Sequence, residues 1–158
     1  MSFAAGITGV SFWEFASEEN AQSGATHYLA KPLFPLDKTI AMINFDRIGQ
    51  LRNETLSLIG VTSGGEMFDK LVDEVNTDKP PLKLNKVDTG PESDHRPFED
   101  SHIPVIFFHT SQDDDASVDV PGVAKIISFA ERVIKKIAQS DVKPTFAGSD
   151  RGPRRDNR

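Results

Sequence analysis

Short apolar runs alternate along the chain with segments whose apolar residues recur at helical spacing. The runs are rich in β-branched and aromatic residues or alternate in polarity, which is typical of strands. They predict strands at 7–15, 38–45, 55–61, 82–87 and 103–109. Helical patterns occupy 21–29, 66–76 and 121–138, and a short helical turn is expected at Pro97 and Phe98. Strands that alternate with helices favour an α/β layered domain with a largely parallel or mixed sheet.

The last predicted helix has the clearest apolar stripe in the chain. Its members are Val123, Ile126, Ile127, Ala130, Val133, Ile134 and Ile137. After this helix the periodicity ends, and proline, glycine, aspartate and arginine accumulate. This composition is typical of a flexible terminus. The sequence therefore predicts a domain over residues 1–138 and a flexible tail over residues 139–158.

Composition excludes several classes of site. The chain of 158 residues carries a net charge of −6, which argues against a broad nucleic-acid-binding surface. It has no cysteine, which excludes disulfides, a thiol nucleophile and a cysteine-ligated zinc site. A metal would need carboxylates or one of four histidines: His27, His95, His102 and His109. No run approaches the roughly 18 apolar residues of a membrane span, and Met1–Gly9 lacks signal-peptide character. The compartment is left open.

Acidic residues follow two of the predicted strands. Glu18 and Glu19 come just after the first, and Asp46 ends the second. In open α/β sheets ligands bind beyond the carboxyl ends of strands, where acids can bind a metal or act as a general base. Two structural interpretations stay open. The glutamates suit a solvated helix start, and Asp46 suits an Asx-type turn.

Two further polar segments flank the last predicted strand. Asp94 and His95 lie in the compact segment Ser93–Phe98, where they could orient one another or only satisfy loop backbone groups. Asp113–Asp115 follow the strand, but Val118 stands where a calcium-binding EF-hand loop requires glycine, so that motif is rejected.

Three segments in order resemble the zinc aminopeptidases with two co-catalytic metals, a family that includes leucyl-type aminopeptidases, glutamate carboxypeptidases and glutaminyl cyclases. The segments are ASEENAQSGATHYLAKP, KTIAMINFDRIG and SDHRPFEDSHIPVIFFHT. The resemblance implies a three-layer α/β/α sandwich with a mixed, mostly parallel sheet, together with zinc and a peptide substrate. It also implies that Glu18 is the general base, that Glu19 and Asp46 each bind one zinc, and that Asp94 and His95 support the site.

The sequence also departs from this family. The family's His-x-Asp motif and metal-bridging aspartate lie upstream of the glutamate pair, and this chain is expected to be truncated before both. The histidine that the family carries after the last strand is absent, because FFHTSQ passes directly to DDDASVDVPG. Three of the five ligands that the resemblance implies therefore have no counterpart. We expect a metallopeptidase-like hydrolase domain with an incomplete dinuclear site. The alternative is a non-catalytic binding module that forms a homo-oligomer.

Overall fold

The computed structural model describes residues 9–11, 13–15, 23–110 and 117–148. Within these ranges strands and helices alternate along most of the chain. In order they are α1 (Ser23–Ala30), β1 (Met42–Phe45), β2 (Thr55–Ile59), α2 (Gly65–Glu74), β3 (Lys83–Val87), α3 (His95–Asp100), β4 (Val105–His109) and α4 (Val120–Gln139). Short 3-10 helices occupy Leu36–Lys38, Arg52–Glu54 and Val61–Gly64.

The four strands form one sheet in the order β1-β4-β2-β3. The pairs β1–β4 and β2–β3 are parallel, whereas β2 and β4 are antiparallel. The expected mixed, mostly parallel sheet is therefore confirmed. Because β1 and β4 are parallel and Phe45 pairs with Phe108, their carboxyl ends lie side by side.

Helices cover both faces of this sheet. Alternation along β4 sends Ile106 and Phe108 into the core shared with α2 and α4. Val105, on the other face, packs with Ala25 of α1 and Phe98 of α3. All five residues of β4 are buried, as a strand covered on both faces requires. The three-layer α/β/α arrangement is thus confirmed.

The strand predicted at 7–15 is wrong for the residues that can be described. Positions 9–11 and 13–15 contain no strand, and Val10 and Trp13 are 50% and 45% exposed. A strand requires a hydrogen-bonding neighbour, which an apolar run alone does not provide. The rings of this segment pack instead against helices, and Phe15 lies 5.9 Å from both Tyr28 and Phe98 between ring centroids.

The other predicted elements are present with shifted ends. Helix α3 begins at His95, two residues before the predicted turn, and β1 covers only the second half of the run 38–45. On α4 the stripe residues Ile126, Ala130, Val133 and Ile137 are buried, but Ile127 is 55% exposed. A step of about 100° per residue carries Ile127 away from the core, and Phe129 is buried in its place.

The first residues of the predicted tail contact the domain. The Ala147 amide donates a 2.9 Å hydrogen bond to the Ser63 carbonyl oxygen. The ring of Phe146 meets His102 edge-on, with 5.1 Å between centroids. Phe146 and Ala147 therefore lie near the amino-terminal end of β4, and residues 149–158 fall outside the described part.

Candidate metal centre

Polar side chains collect where β1 and β4 end. Asp46 follows Phe45 directly, and His109 is the last residue of β4, next to Phe108. The Asp46 amide continues the pairing with a long 3.4 Å hydrogen bond to the Phe108 carbonyl oxygen. Since ligands bind beyond the carboxyl ends of strands in α/β sheets, this is the expected position for a site.

The segment that carries Asp94 and His95 lies against these strand ends. The side-chain amide of Asn44 donates a buried 2.9 Å hydrogen bond to the Ser93 hydroxyl, which joins β1 to the start of α3. His95 is fully buried, and its ring lies over Phe107 with 4.6 Å between centroids. Phe107 in turn contacts His109 at 5.5 Å. These contacts place the segment of Asp94 and His95 beside the strand ends that carry Asp46 and His109. The roles that the resemblance assigns to Asp46, Asp94 and His95 stay predictions.

Asp94 occupies an unfavourable position for a carboxylate. Burial raises its pKa above the ordinary value, and the negative charge of Asp46 raises it further. Its Oδ1 atom is inaccessible to solvent and has no hydrogen-bond partner among the described residues. Although Asp94 precedes α3, its side chain makes no capping hydrogen bond. Two carboxylates that repel each other, one with an unpartnered buried oxygen, fit a divalent cation.

The described residues supply only part of a metal centre. Glu18, Glu19 and Asp113–Asp115 lie outside them, so their proposed roles stay predictions. Across the described ranges, no group of three or more histidine, aspartate or glutamate side chains is arranged to hold a metal. The oxygen donors that are present are nevertheless of a type that zinc accepts.

Asn44 is the residue of this site that sequence reasoning missed. It stands in the apolar run Met42–Phe45, and its side chain is almost completely buried. A polar residue within an otherwise apolar strand was the available signal, because buried polar groups require a partner. That partner, Ser93, is 49 residues away in sequence.

A cavity of about 360 Å³ lies elsewhere, at the opposite end of β1 and β4. Thr39, Ile40, Ile103 and Pro104, which precede those strands, line it together with Phe146. It contains neither Asp46 nor Asp94. We therefore place the candidate metal site at Asp46 and Asp94 and not in this cavity.

Comparison with known families decides the identity of the domain. The model of peptidase family M28 matches residues 4–134, which is most of the chain. The chain belongs to peptidase family M28. It is a zinc-metallopeptidase-like domain, and the family implies zinc and peptide substrates. No curated protein matches the chain.

Solved structures of aminopeptidases share the fold of this M28 domain. Against the aminopeptidase from Aneurinibacillus sp. strain AM-1 the TM-score is 0.62, with 17% identity over 86% of this chain and 35% of that one. The Legionella pneumophila LapA aminopeptidase gives 0.57, with 16% identity over 80% and 38%. BSAP, a zinc aminopeptidase from Bacillus subtilis, gives 0.53, with 14% identity over 80% and 36%. The M28 domain thus spans little more than a third of these proteins. Among its described helices, none is both long and apolar enough to cross a membrane.

Proposed function

We propose that this M28 domain binds a divalent cation, zinc by family, where β1 and β4 end, with Asp46 as a ligand. The observation that supports this most is the buried hydrogen bond from Asn44 to Ser93, which holds the segments of Asp46 and Asp94 together at the end of β1. In keeping with this, the pKa of Asp94 is raised by burial and by the Asp46 charge. A cation beside two such carboxylates would relieve their repulsion and favour their charged forms.

The resemblance assigns the remaining roles. Glu19 is the second carboxylate ligand, and Glu18 takes a proton from the attacking water. When bound, zinc polarises a carbonyl group and acidifies a water molecule. The substrate class is a peptide with a free amino terminus, because the solved relatives are aminopeptidases. The buried ring of His95 packs beneath the site and supports it, and Asp94 places a second negative charge beside Asp46.

The number of protein ligands in this chain determines the zinc affinity of the site. Catalytic zinc sites usually have three protein ligands for each metal. Here the resemblance assigns one carboxylate to each zinc and no histidine. We therefore propose that the chain binds zinc weakly and that efficient peptide hydrolysis requires further ligands.

Metal analysis and a peptidase assay test this proposal on the full chain. Dialysis against zinc followed by elemental analysis should show bound zinc, and less of it in Glu19→Gln. Asp141→Asn, a change at an exposed position away from the strand ends, should leave the zinc content unchanged. Hydrolysis of an aminoacyl nitroanilide that is efficient and is abolished by Glu18→Gln would overturn the proposed incompleteness. A zinc content equal to that of a buffer blank would overturn the site itself.

Assembly of the chain with itself is a second candidate function. Strand β1 is an edge of the described sheet, and Phe45 at its end is exposed. Val118, Val120 and Ile127, in and before α4, are exposed as well. Contiguous apolar patches are typical of protein interfaces, and we propose that these side chains contribute to one. Light scattering at several concentrations that shows only a monomer would contradict this candidate.

A further inference from the structure

His109, the last residue of β4, and Thr110, which follows it, make hydrogen bonds to the turn that carries Asp46. The Nδ1–H group of His109 donates a 3.1 Å hydrogen bond to the Asp46 carbonyl oxygen. The hydroxyl of Thr110 donates a 2.6 Å hydrogen bond to the Arg47 carbonyl oxygen and accepts one of 3.2 Å from the Gln50 amide. The Thr110 amide also donates to the Arg47 carbonyl oxygen at 3.3 Å. We call His109 and Thr110 the β4 clamp.

The clamp acts on a strained stretch of backbone. Arg47 has a φ of 52°, in the left-handed region that residues with a Cβ seldom adopt. Such a conformation costs on the order of 1 kcal/mol and persists only where its surroundings enforce it. The Arg47 carbonyl oxygen accepts two hydrogen bonds from Thr110, and the preceding carbonyl oxygen accepts one from His109. The clamp therefore grips the peptide groups on both sides of the strained Cα.

We infer that His109 and Thr110 are positioning residues, which hold the Asp46 turn so that its carboxylate stays beside Asp94 and can bind a cation. This inference rests on the proposed function, since it assigns Asp46 the role of ligand. Contacts that orient metal ligands without touching the metal strongly affect metal affinity. The Nδ1–H group of His109 donates to the carbonyl oxygen of Asp46, so the Nδ1 proton is used to hold the backbone in place.

Thr110→Val tests the clamp with little change in volume. It removes both hydroxyl hydrogen bonds, and we expect zinc affinity, measured by calorimetry on the full chain, to fall about 10-fold. Thr110→Ser keeps the hydroxyl and should bind as the wild type does. Thr145→Val is the matched control, since Thr145 is exposed between residues that line the distant cavity, and it should have no effect.

A rescue variant separates positioning from a general structural role. Glycine adopts a φ near 52° without strain, so Arg47→Gly added to Thr110→Val should restore most of the zinc affinity. Thermal unfolding of the metal-free Thr110→Val protein should show that it remains folded, so that general unfolding does not account for its loss of affinity. In the metal-free chain, the Gln50 amide should exchange with solvent faster in Thr110→Val than in Thr110→Ser, because its acceptor is lost.

The outcomes separate this inference from the proposed function. If the wild type binds no zinc, both are overturned. If the wild type binds zinc and Thr110→Val binds it equally well, only the clamp is overturned. Affinity that falls in Thr110→Val and is not restored by Arg47→Gly would also overturn the clamp, as would unchanged exchange at Gln50.

Discussion

The side-chain amide of Asn44 donates a buried 2.9 Å hydrogen bond to the hydroxyl of Ser93, which joins the edge strand β1 to the segment just before α3. Asn44 lies two residues before Asp46, and Ser93 lies directly before Asp94. This one bond therefore ties together the two backbone segments that bring the carboxylates close.

Loss of the Asn44 side chain should weaken the domain. Asn44→Ala leaves the buried Ser93 hydroxyl without its partner, so we expect the free energy of unfolding to fall by about 1–3 kcal/mol in urea titrations. Asn85→Ala is the control, because its 3.3 Å bond to Ser57 is exposed and its loss should cost within about 0.5 kcal/mol. Equal losses in the two variants would contradict the structural role of the Asn44–Ser93 bond.

Removal of the Asp94 charge should stabilise the metal-free domain at neutral pH. The pKa of Asp94 in the folded chain lies above its ordinary value of 3.8, mainly because of burial and also because of Asp46. As the pH rises through the window between these two pKa values, the folded chain keeps a proton that the unfolded chain loses, so stability falls. Above the window the charged carboxylate is a constant cost, which Asp94→Asn removes.

The pH dependence makes this prediction specific. The stabilisation by Asp94→Asn should be complete at neutral pH and should disappear below pH 3.8, where Asp94 is protonated in both states. Thermal unfolding in metal-free buffer across this range measures it. Asp141→Asn, at an exposed position, should show no such trend. A variant that is less stable than the wild type at neutral pH would refute the electrostatic cost that we assign to Asp94.

Much of this site could be predicted from sequence, because local patterns encode strand ends. The apolar run that ends in Asp46 and the polar segment before α3 are both visible in the local sequence. The resemblance of three ordered segments to one family then assigns both to the same site. Asn44 was missed because its partner comes from a distant segment. The strand expected at 7–15 is absent from its described residues, 9–11 and 13–15, because strand formation depends on a hydrogen-bonding neighbour. The sequence pattern assigns Ile127 to the buried stripe of α4, but this residue is exposed. Residue type alone does not distinguish an apolar residue within a buried stripe from one that lies next to it.

Ser63 should be among the most sensitive polar positions outside the site. It is fully buried, and its hydroxyl accepts a 2.8 Å bond from the Val105 amide while it donates to the Gly60 carbonyl oxygen at 2.6 Å. Ser63→Ala leaves these backbone groups without their hydroxyl partner, so unfolding free energy should fall by about 1–3 kcal/mol. Ser128→Ala, on the exposed side of α4, should change it by less than about 0.5 kcal/mol. Thermal or urea unfolding of both variants measures the difference, and a Ser63→Ala value as small as the control would count against this contact.

The most direct test of the central claim is a calorimetric zinc titration of the full chain, with the wild type and Asp46→Asn compared in the same buffer. The account predicts saturable binding to the wild type and a loss of at least about 10-fold in affinity in Asp46→Asn, since asparagine keeps the shape but loses the charge. Thermal unfolding of the metal-free proteins should show that the variant remains folded. Wild-type protein that binds no zinc, or Asp46→Asn that binds it as tightly as the wild type, would contradict a metal centre at the ends of β1 and β4.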